Sequence, residues 1–376
     1  MKVDVTHFIM SSLKLENQDR FKHHRFGVNY TPTRHWYYCW NDFELASIAR
    51  DLDVIGEMGA DHIRLQLIWP WFQPNPGWVS PAHLERLRSV MEVAAERRLD
   101  VCVAALDGWL SGYGFAPPFG AGESIYTSPM MREAQELYFT ELAAVLQPLP
   151  NFLGFDLGNE MNYYWPAPAS EGDPWMAWAM QLVERLAPGR VHINGVDHKP
   201  WFEDTTFSPR AMVDLQEIVS IHAWSEFTGA LLRGGPLDNP SVGLCAAMTR
   251  LAKAHAGDAA KPVWIQEFGA SPEWMPAEII PDFLEQSVCR AVDAGAVWFT
   301  WWCSHDLDPK LHFTPLEYEL GLISHDNRIK PQGRRFRELA ERLRDRAPIL
   351  PDAIAPRPEG EHTERRTWEW LLKHGL

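Results

Sequence analysis

Two glutamates, Glu160 and Glu267, each close an apolar run, and each is followed by aromatic residues, in "GFDLGNEMNYYWP" (154–166) and "PVWIQEFG" (262–269). Singly, a carboxylate in such a place is a salt-bridge partner for an arginine inside the fold, such as Arg64. Together, among aromatic rings, the two fit cleavage of a glycosidic bond. That chemistry needs one carboxyl group to protonate the leaving oxygen and another to act as nucleophile or base, while rings stack on the C–H faces of the sugar. Other polar and aromatic residues close or follow apolar runs in the same way: Arg64, Asp107 with Trp109, Asn159, His222 with Trp224, and the pair Trp301-Trp302.

Side chains so far apart in sequence need a scaffold that brings the ends of many strands together. Eight short β-rich runs recur: "RFGVNY" (25–30), "DHIRLQL" (61–67), "DVCVAAL" (100–106), "FLGFDLGNE" (152–160), "RVHINGV" (190–196), "IVSIHAW" (218–224), "PVWIQEFG" (262–269) and "AVWFTWWC" (296–303). Helical spacing separates them, as in Leu45, Ile48, Leu52, Ile55 and Met58. Three helices are expected to open on Ser-Pro, at Ser80, Ser128 and Ser208, with serine as cap and proline in the first turn. Eight alternating units predict a single-domain α/β fold, a (β/α)8 TIM barrel over residues 25–346, with its site at the C-terminal ends of the strands. Residues 1–24 are then an N-terminal arm. Residues 347–376 are a proline-rich connector and a short helix that packs back on the barrel. The basic outer face of "PQGRRFRELAERLRDR" (331–346) is expected to be a solvated surface.

The 376 residues carry a net charge of −15, which disfavours nucleic acid and anionic membranes as partners. There are 18 tryptophans, many beside Asn, Asp, His or Pro in irregular stretches such as "TRHWYYCWND" and "LIWPWFQPNPGW". The reading here is that Trp36, Tyr37, Tyr38, Trp40, Trp69, Trp71 and Trp109 wall a pocket that admits one chain end. Five dispersed cysteines show no paired spacing and are expected to be reduced thiols, outside any disulfide or metal site. The N-terminal stretch lacks an apolar run of signal-peptide length, and a cytoplasmic location is expected.

Rival chemistries lack their residues. "RFGVNY" has no His-x-His for a metal-dependent hydrolase, and the remaining histidines, His192 among them, are dispersed. No Gly-x-Ser-x-Gly elbow occurs, and no lysine ends a run as a Schiff-base enzyme requires. "GYGFAP" and "GAGESI" lack the third glycine of a dinucleotide-binding turn.

From about residue 25 to residue 345 the chain resembles the retaining barrel glycosidases with catalytic glutamates on strands 4 and 7, most closely glycoside hydrolase family 5. Asn159-Glu160 matches the family's Asn-Glu pair and "IQEFG" its second glutamate. Arg64 matches the arginine of strand 2, His222 the histidine of strand 6, and Trp302 or its neighbour Trp301 the tryptophan of strand 8. Two departures stand out: "HAW" puts Trp224 where the family has a tyrosine near the nucleophile, and Asp107 stands where strand 3 usually leads to a His or Asn.

"FGVNYTPTRHWYYCW", "HIRLQLIWPWFQPNP" and "LDGWLSGYGF" look like an intracellular branch of β-mannosidases acting on mannosyl-β-1,4-N-acetylglucosamine. The resemblance implies Glu160 as acid and base, Glu267 as nucleophile held ionised by Arg64, and Asn159 on the sugar 2-hydroxyl. It also implies His222 in the polar network and Trp302 under the cleaved sugar, with Asp107, Trp109 and Trp224 as further substrate-binding residues. It implies no metal or cofactor and an oligosaccharide as substrate, and leaves the oligomeric state open. The alternatives are an endo-acting β-mannanase or β-1,4-glucanase, and a sugar-binding barrel without chemistry.

Overall fold

The computed structural model describes residues 18–376, so residues 1–17 of the expected arm lie outside the described residues. Seven strands form one parallel sheet: β1 (Arg25–Asn29), β2 (His62–Ile68), β3 (Asp100–Asp107), β4 (Phe152–Asp156), β5 (Val219–His222), β6 (Val263–Phe268) and β7 (Trp298–Trp301), in the order β4-β3-β2-β1-β7-β6-β5. Eight helices follow in turn: α1 (Leu45–Glu57), α2 (Pro81–Glu96), α3 (Pro129–Leu146), α4 (Ala169–Leu186), α5 (Pro209–Asp214), α6 (Leu244–Ala256), α7 (Ile280–Asp293) and α8 (Pro331–Leu343). The architecture is the (β/α)8 barrel that the alternation of runs predicts.

One expected strand does not form. Residues 190–196 hold only a single bridge, Asp156↔Ile193, although Val191 and Ile193 donate to Leu153 O and Phe155 O of β4 at 2.8 and 2.9 Å. On the other side side chains replace the backbone ladder. Gln216 Oε1 accepts from Asn194 N at 2.9 Å, and Ser220 Oγ donates to Asn194 O at 2.7 Å. The Gln216 amide thus takes the bond a β5 carbonyl would make, and the barrel closes through polar side chains.

Side chains two apart on a strand share a face. On β6, Trp264 and Gln266 point one way, and on β7 Trp298 and Thr300 do the same. The interior therefore changes along its axis. A small apolar cluster of Cys102, Val191, Ile193, Trp264 and Trp298 lies toward the N-terminal ends. Buried polar groups, Asn29, Arg64, Asp156 and Gln266, lie above it. The larger apolar core sits between sheet and helices, where α1 buries Ile48, Leu52 and Ile55 as its spacing requires.

Helices α2 and α5 open as expected, with Ser80 and Ser208 accepting from His83 N and Ala211 N at 3.4 and 3.1 Å. Ser128 precedes Pro129 but makes no such bond. The basic face of α8 is not merely solvated, because Arg335 and Arg342 both pair with Glu285 of α7. A last helix, α9 (Glu364–Trp370), lies against the barrel. Its Trp368 indole donates to Thr228 O at 3.0 Å and stacks under Arg233 at 4.1 Å.

Gly154 of β4 is where the strandless segment comes closest. A Cβ there would stand 1.8 Å from Val191 O, a backbone atom that cannot swing aside. Gly154→Ala is therefore expected to destabilise the protein by about 2–3 kcal/mol or more, measured by urea unfolding. An unchanged midpoint would show that residues 190–196 yield freely.

Candidate active site

Arg64 has no exposed surface, and its guanidinium is the centre around which the strand ends are arranged. Nε donates to Asp156 Oδ2 at 2.8 Å, Nη1 to Glu267 Oε1 at 2.5 Å and to Asn29 Oδ1 at 3.0 Å, and Nη2 to Asn159 Oδ1 at 2.8 Å. Burial alone disfavours its charge, but Asp156 and Glu267 more than restore it, so the group stays cationic. Gly195 makes the convergence possible, since a Cβ there would lie 2.5 Å from Asp156 Oδ2 and 2.7 Å from Arg64 Nη2.

Glu267 is buried at the end of β6, with Oε1 on Arg64 and Oε2 accepting from the Trp224 indole N–H at 3.2 Å. Trp224 thus makes the contact expected of it as a replacement for tyrosine. Burial pushes the Glu267 carboxyl above its usual range, and the charge of Arg64 and the Trp224 N–H oppose that rise. Glu160 lies one residue past Asn159 in the left-handed region, φ 45° and ψ 41°, anchored by its own N–H to Gly195 O at 2.7 Å. Such a conformation in a residue with a side chain costs on the order of 1–3 kcal/mol and persists only where surrounding contacts enforce it. Burial first, then the charge of Asp197, push the Glu160 carboxyl up to about 8.

His222 joins the two acids. Its Nδ1 lies 2.8 Å from Glu160 Oε1 and 3.4 Å from Glu267 Oε2, and its Nε2 lies 3.0 Å from Gln266 Oε1. The Gln266 amide nitrogen is spent on Asp156 Oδ2 at 2.9 Å, so its oxygen faces the ring and His222 Nε2 must carry the hydrogen. Burial lowers the His222 pKa and keeps the ring neutral. Nδ1 is then an acceptor, and the proton between it and Glu160 belongs to Glu160. One oxygen of Glu160, one of Glu267 and a His222 nitrogen all lie within 4.8 Å of one another, close enough for a metal ion. The set does not fit one: a guanidinium at 2.5 Å from Glu267 repels a cation, and the ring nitrogen facing both acids is taken by Glu160.

The other expected residues divide by exposure. Asn159 Oδ1 is on Arg64 and Nδ2 donates to Trp109 O at 2.7 Å, leaving one amide hydrogen for a ligand. Asp107 is fully buried and accepts from Asn159 N at 2.9 Å; in the amide orientation that satisfies both, the Gln66 nitrogen donates to it at 2.6 Å. It positions the Asn159-Glu160 loop from beneath. Trp301 is core, with its indole donating to Leu320 O at 2.9 Å, and Trp302 beside it is also buried, with 5% of its surface exposed.

The expected aromatic wall is corrected in detail. Trp36, Tyr37, Trp40 and Trp69 are almost wholly buried and are not faces offered to a sugar. They brace loops instead. Trp40 donates to Gln66 O at 2.9 Å, and Trp69 to Gln73 Oε1 at 2.7 Å. Trp165 fills the space under Gly108, and Tyr164 lies under Gly114, holding the hairpin Trp109–Leu110 and Tyr113–Gly114. Tyr38, Trp71, Trp109 and Tyr163 keep exposed surface. Across the top, Phe313 lies 5.1 Å from Trp36 and 5.2 Å from Tyr113, and the Tyr113 hydroxyl donates to His312 O. This cluster ties the loops after β1, β3 and β7 together on one side of the site.

Asp156, Asn29, Gln266, Asp197 and Gly195 were not singled out from sequence. For Asp156 and Gln266 a signal exists: each is a polar residue inside an apolar run, four before Glu160 and one before Glu267 respectively. Asp197 carries none.

No family model and no curated protein matches the chain. Solved structures do. A glutamate-to-alanine variant of GH5_18 from Streptomyces cattleya in complex with Manβ1-4GlcNAc has a TM-score of 0.84 and 34% identity, over 91% of this chain and 87% of that one. A variant of GH5_18 from Bifidobacterium longum subsp. longum in complex with the same disaccharide has a TM-score of 0.83 and 30% identity, over 88% and 80%. An exo-β-1,4-mannosidase from Opitutaceae bacterium strain TAV5 has a TM-score of 0.75 and 25% identity, over 85% and 59%. With paired strand-end glutamates on a shared fold, and identity of 30% or more over most of both chains for the first two, the chain belongs to glycoside hydrolase family 5, in the branch designated GH5_18.

Proposed function

We propose that the protein is a retaining exo-β-mannosidase that releases mannose from mannosyl-β-1,4-N-acetylglucosamine and similar short β-mannosides. The observation that carries the reading is the acid pair itself. An oxygen of Glu160 and one of Glu267 lie within 4.8 Å of each other, so the two carboxyl groups face one reacting centre, in keeping with the close pair of a retaining enzyme. The two environments differ as the roles require. Glu160 keeps its proton near neutrality, and Glu267 is bonded to a guanidinium and an indole N–H.

In the first step Glu267 attacks the anomeric carbon while Glu160 gives its proton to the leaving oxygen, forming a glycosyl-enzyme and freeing N-acetylglucosamine. In the second, Glu160 takes a proton from water, and the resulting hydroxide displaces Glu267 with net retention. Arg64 and Trp224 orient Glu267 and spread its charge, the free Asn159 amide hydrogen is offered to the sugar 2-hydroxyl, and Trp302 floors the cleaved sugar. The rim formed by the Trp36, Tyr113 and Phe313 cluster supports exo action over the endo-acting alternative. The intact acid pair supports an enzyme over a sugar-binding relic. Five free cysteines are in keeping with a reducing, cytoplasmic setting, and no helix of the described residues is long and apolar enough to cross a membrane.

Product chromatography tests the substrate. Free mannose is expected from the disaccharide with little action on polymeric mannan; a ladder of oligosaccharides from mannan and no mannose from the disaccharide would promote the endo reading. Azide tests the roles. With Glu267→Ala it is expected to restore some turnover and give the inverted glycosyl azide, and with Glu160→Ala the retained one; the opposite pattern would exchange the two assignments.

The pH profile tests the acid. Glu160 acts protonated, so kcat/KM should hold below its pKa and fall as pH rises through about 8. The Asp197 charge raises that pKa. Asp197→Asn is therefore expected to move the alkaline limb to lower pH, and an unmoved limb would show that Glu160 does not feel Asp197.

A further inference from the structure

Gln266 bonds to neither glutamate, yet β6 carries an extra residue where it stands. Ile265 pairs with Ile221 of β5 and Glu267 with His222, so one step on β5 matches two on β6. Against β7 the same residue is gained, with Ile265 opposite Phe299 and Phe268 opposite Trp301. An extra residue of this kind re-aims side chains. It lets the successive side chains of Gln266 and Glu267 both reach the polar network at the strand ends, where strict alternation would send them to opposite faces.

What Gln266 does there follows from hydrogen-bond polarity. Asp156 is ringed by donors: Oδ2 accepts from Arg64 Nε at 2.8 Å, and Oδ1 from Gly195 N at 2.7 Å and Gly158 N at 3.3 Å. It can offer Gln266 only an acceptor, so the Gln266 nitrogen turns to Asp156 Oδ2 at 2.9 Å and its oxygen to His222 Nε2 at 3.0 Å. A Cβ on Gly195 would lie 2.9 Å from Gln266 Oε1, so that oxygen is packed as well as bonded. Asp156, Gln266 and His222 have no exposed surface, and bulk solvent offers the ring no substitute acceptor.

The titratable and charged groups that face the ring are Arg64 of β2, Asp156 of β4, Glu160 beyond β4 and Glu267 of β6, and burial outweighs them in keeping it neutral. A neutral ring with its hydrogen on Nε2 shows Glu160 a lone pair at 2.8 Å. The other tautomer would aim an N–H at Glu160 and at Glu267 Oε2, 3.4 Å away, and favour the anion of both.

We propose that Gln266 is a positioning residue for acid catalysis: anchored by Asp156, it fixes the His222 hydrogen on Nε2 and so leaves the hydrogen between His222 and Glu160 on Glu160, ready for the leaving sugar oxygen. This rests on the glycosidase reading above. Once Glu160 has given up that proton, its carboxylate faces a lone pair in place of a donor, which favours taking a proton back from water in the second step. The arrangement matters most for a sugar leaving group, whose oxygen departs only with a proton, and least for a nitrophenolate stabilised by its own ring.

The test compares mannosyl-β-1,4-N-acetylglucosamine with dinitrophenyl β-mannoside in the wild type and in Gln266→Met, which keeps the length of the side chain and removes the acceptor. In kcat/KM, which reports the first chemical step, the variant is expected to lose about 10- to 100-fold more on the disaccharide than on the dinitrophenyl glycoside. Equal losses on both, or no loss on either, overturn the proposal, since a merely structural defect does not distinguish leaving groups. Should the variant misfold by circular dichroism, the wild type decides. In 15N NMR of histidine-labelled protein, with the His222 signals identified by their absence in His222→Asn, a hydrogen on Nε2 and a bare Nδ1 are expected; a hydrogen on Nδ1 overturns the inference. The sugar assignment fails separately, because if another β-glycoside is cleaved in place of mannosides, the same two kinds of leaving group are compared on that sugar. No turnover of any glycoside overturns the enzyme reading and this inference with it.

Discussion

A buried guanidinium organises this molecule. Arg64 could not remain charged inside a barrel without several acceptors aimed at it, and the strand ends supply them: Asn29 from β1, Asp156 from β4, Asn159 just beyond it and Glu267 from β6. Removing Asp156 or Glu267 leaves part of a buried charge uncompensated, a cost of about 3–5 kcal/mol. The same bonds that keep the charge tolerable hold the nucleophile candidate in place and set the loop that presents Glu160. Stability and site geometry are one network here, which also accounts for the missing side chain at Gly195 and for the polar closure of the barrel beside it.

That network separates the chemistry of two like residues. Glu267 receives two donors, Arg64 and the Trp224 indole, which oppose the rise that burial imposes on its carboxyl; Glu160 faces a neutral His222 nitrogen and the Asp197 charge, and keeps its proton. The orientation of a single amide, Gln266, decides the tautomer of His222 and through it which acid holds the hydrogen. Backbone strain collects at the same end of the barrel. His35, Trp36, Ser111 and Glu160 all adopt positive φ without being glycine, and all lie in loops around the acid pair.

Much of this was legible in the sequence because it follows from period and position. Alternating runs gave the strands and helices, a polar residue closing an apolar run marked Asn159, Glu160, His222 and Glu267, and an arginine inside one marked Arg64. What failed did so for physical reasons. Residues 190–196 read as a strand, yet the partner that would complete the ladder is replaced by Gln216, a side chain whose reach no local pattern encodes. The abundance of tryptophan read as ligand-stacking surface, whereas Trp36, Trp40 and Trp69 are buried under loops. Composition reports that large rings are present near polar residues, not which face of a loop they take. Asp197 stayed hidden because its importance lies in its nearness to Glu160 across the fold.

The loops explain why burying those rings is still a functional choice. A rim made of short polar loops would flex, and a chain of sugars could pass through it. Here Trp36, Tyr113 and Phe313 contact one another from three separate loops at 5.1–5.7 Å, so none of the loops can open without pulling rings apart. Each such contact adds about 0.5–1.5 kcal/mol beyond the area it buries, enough to hold the rim shut without a lid. Rigidity of this kind suits an enzyme that accepts one sugar end-on.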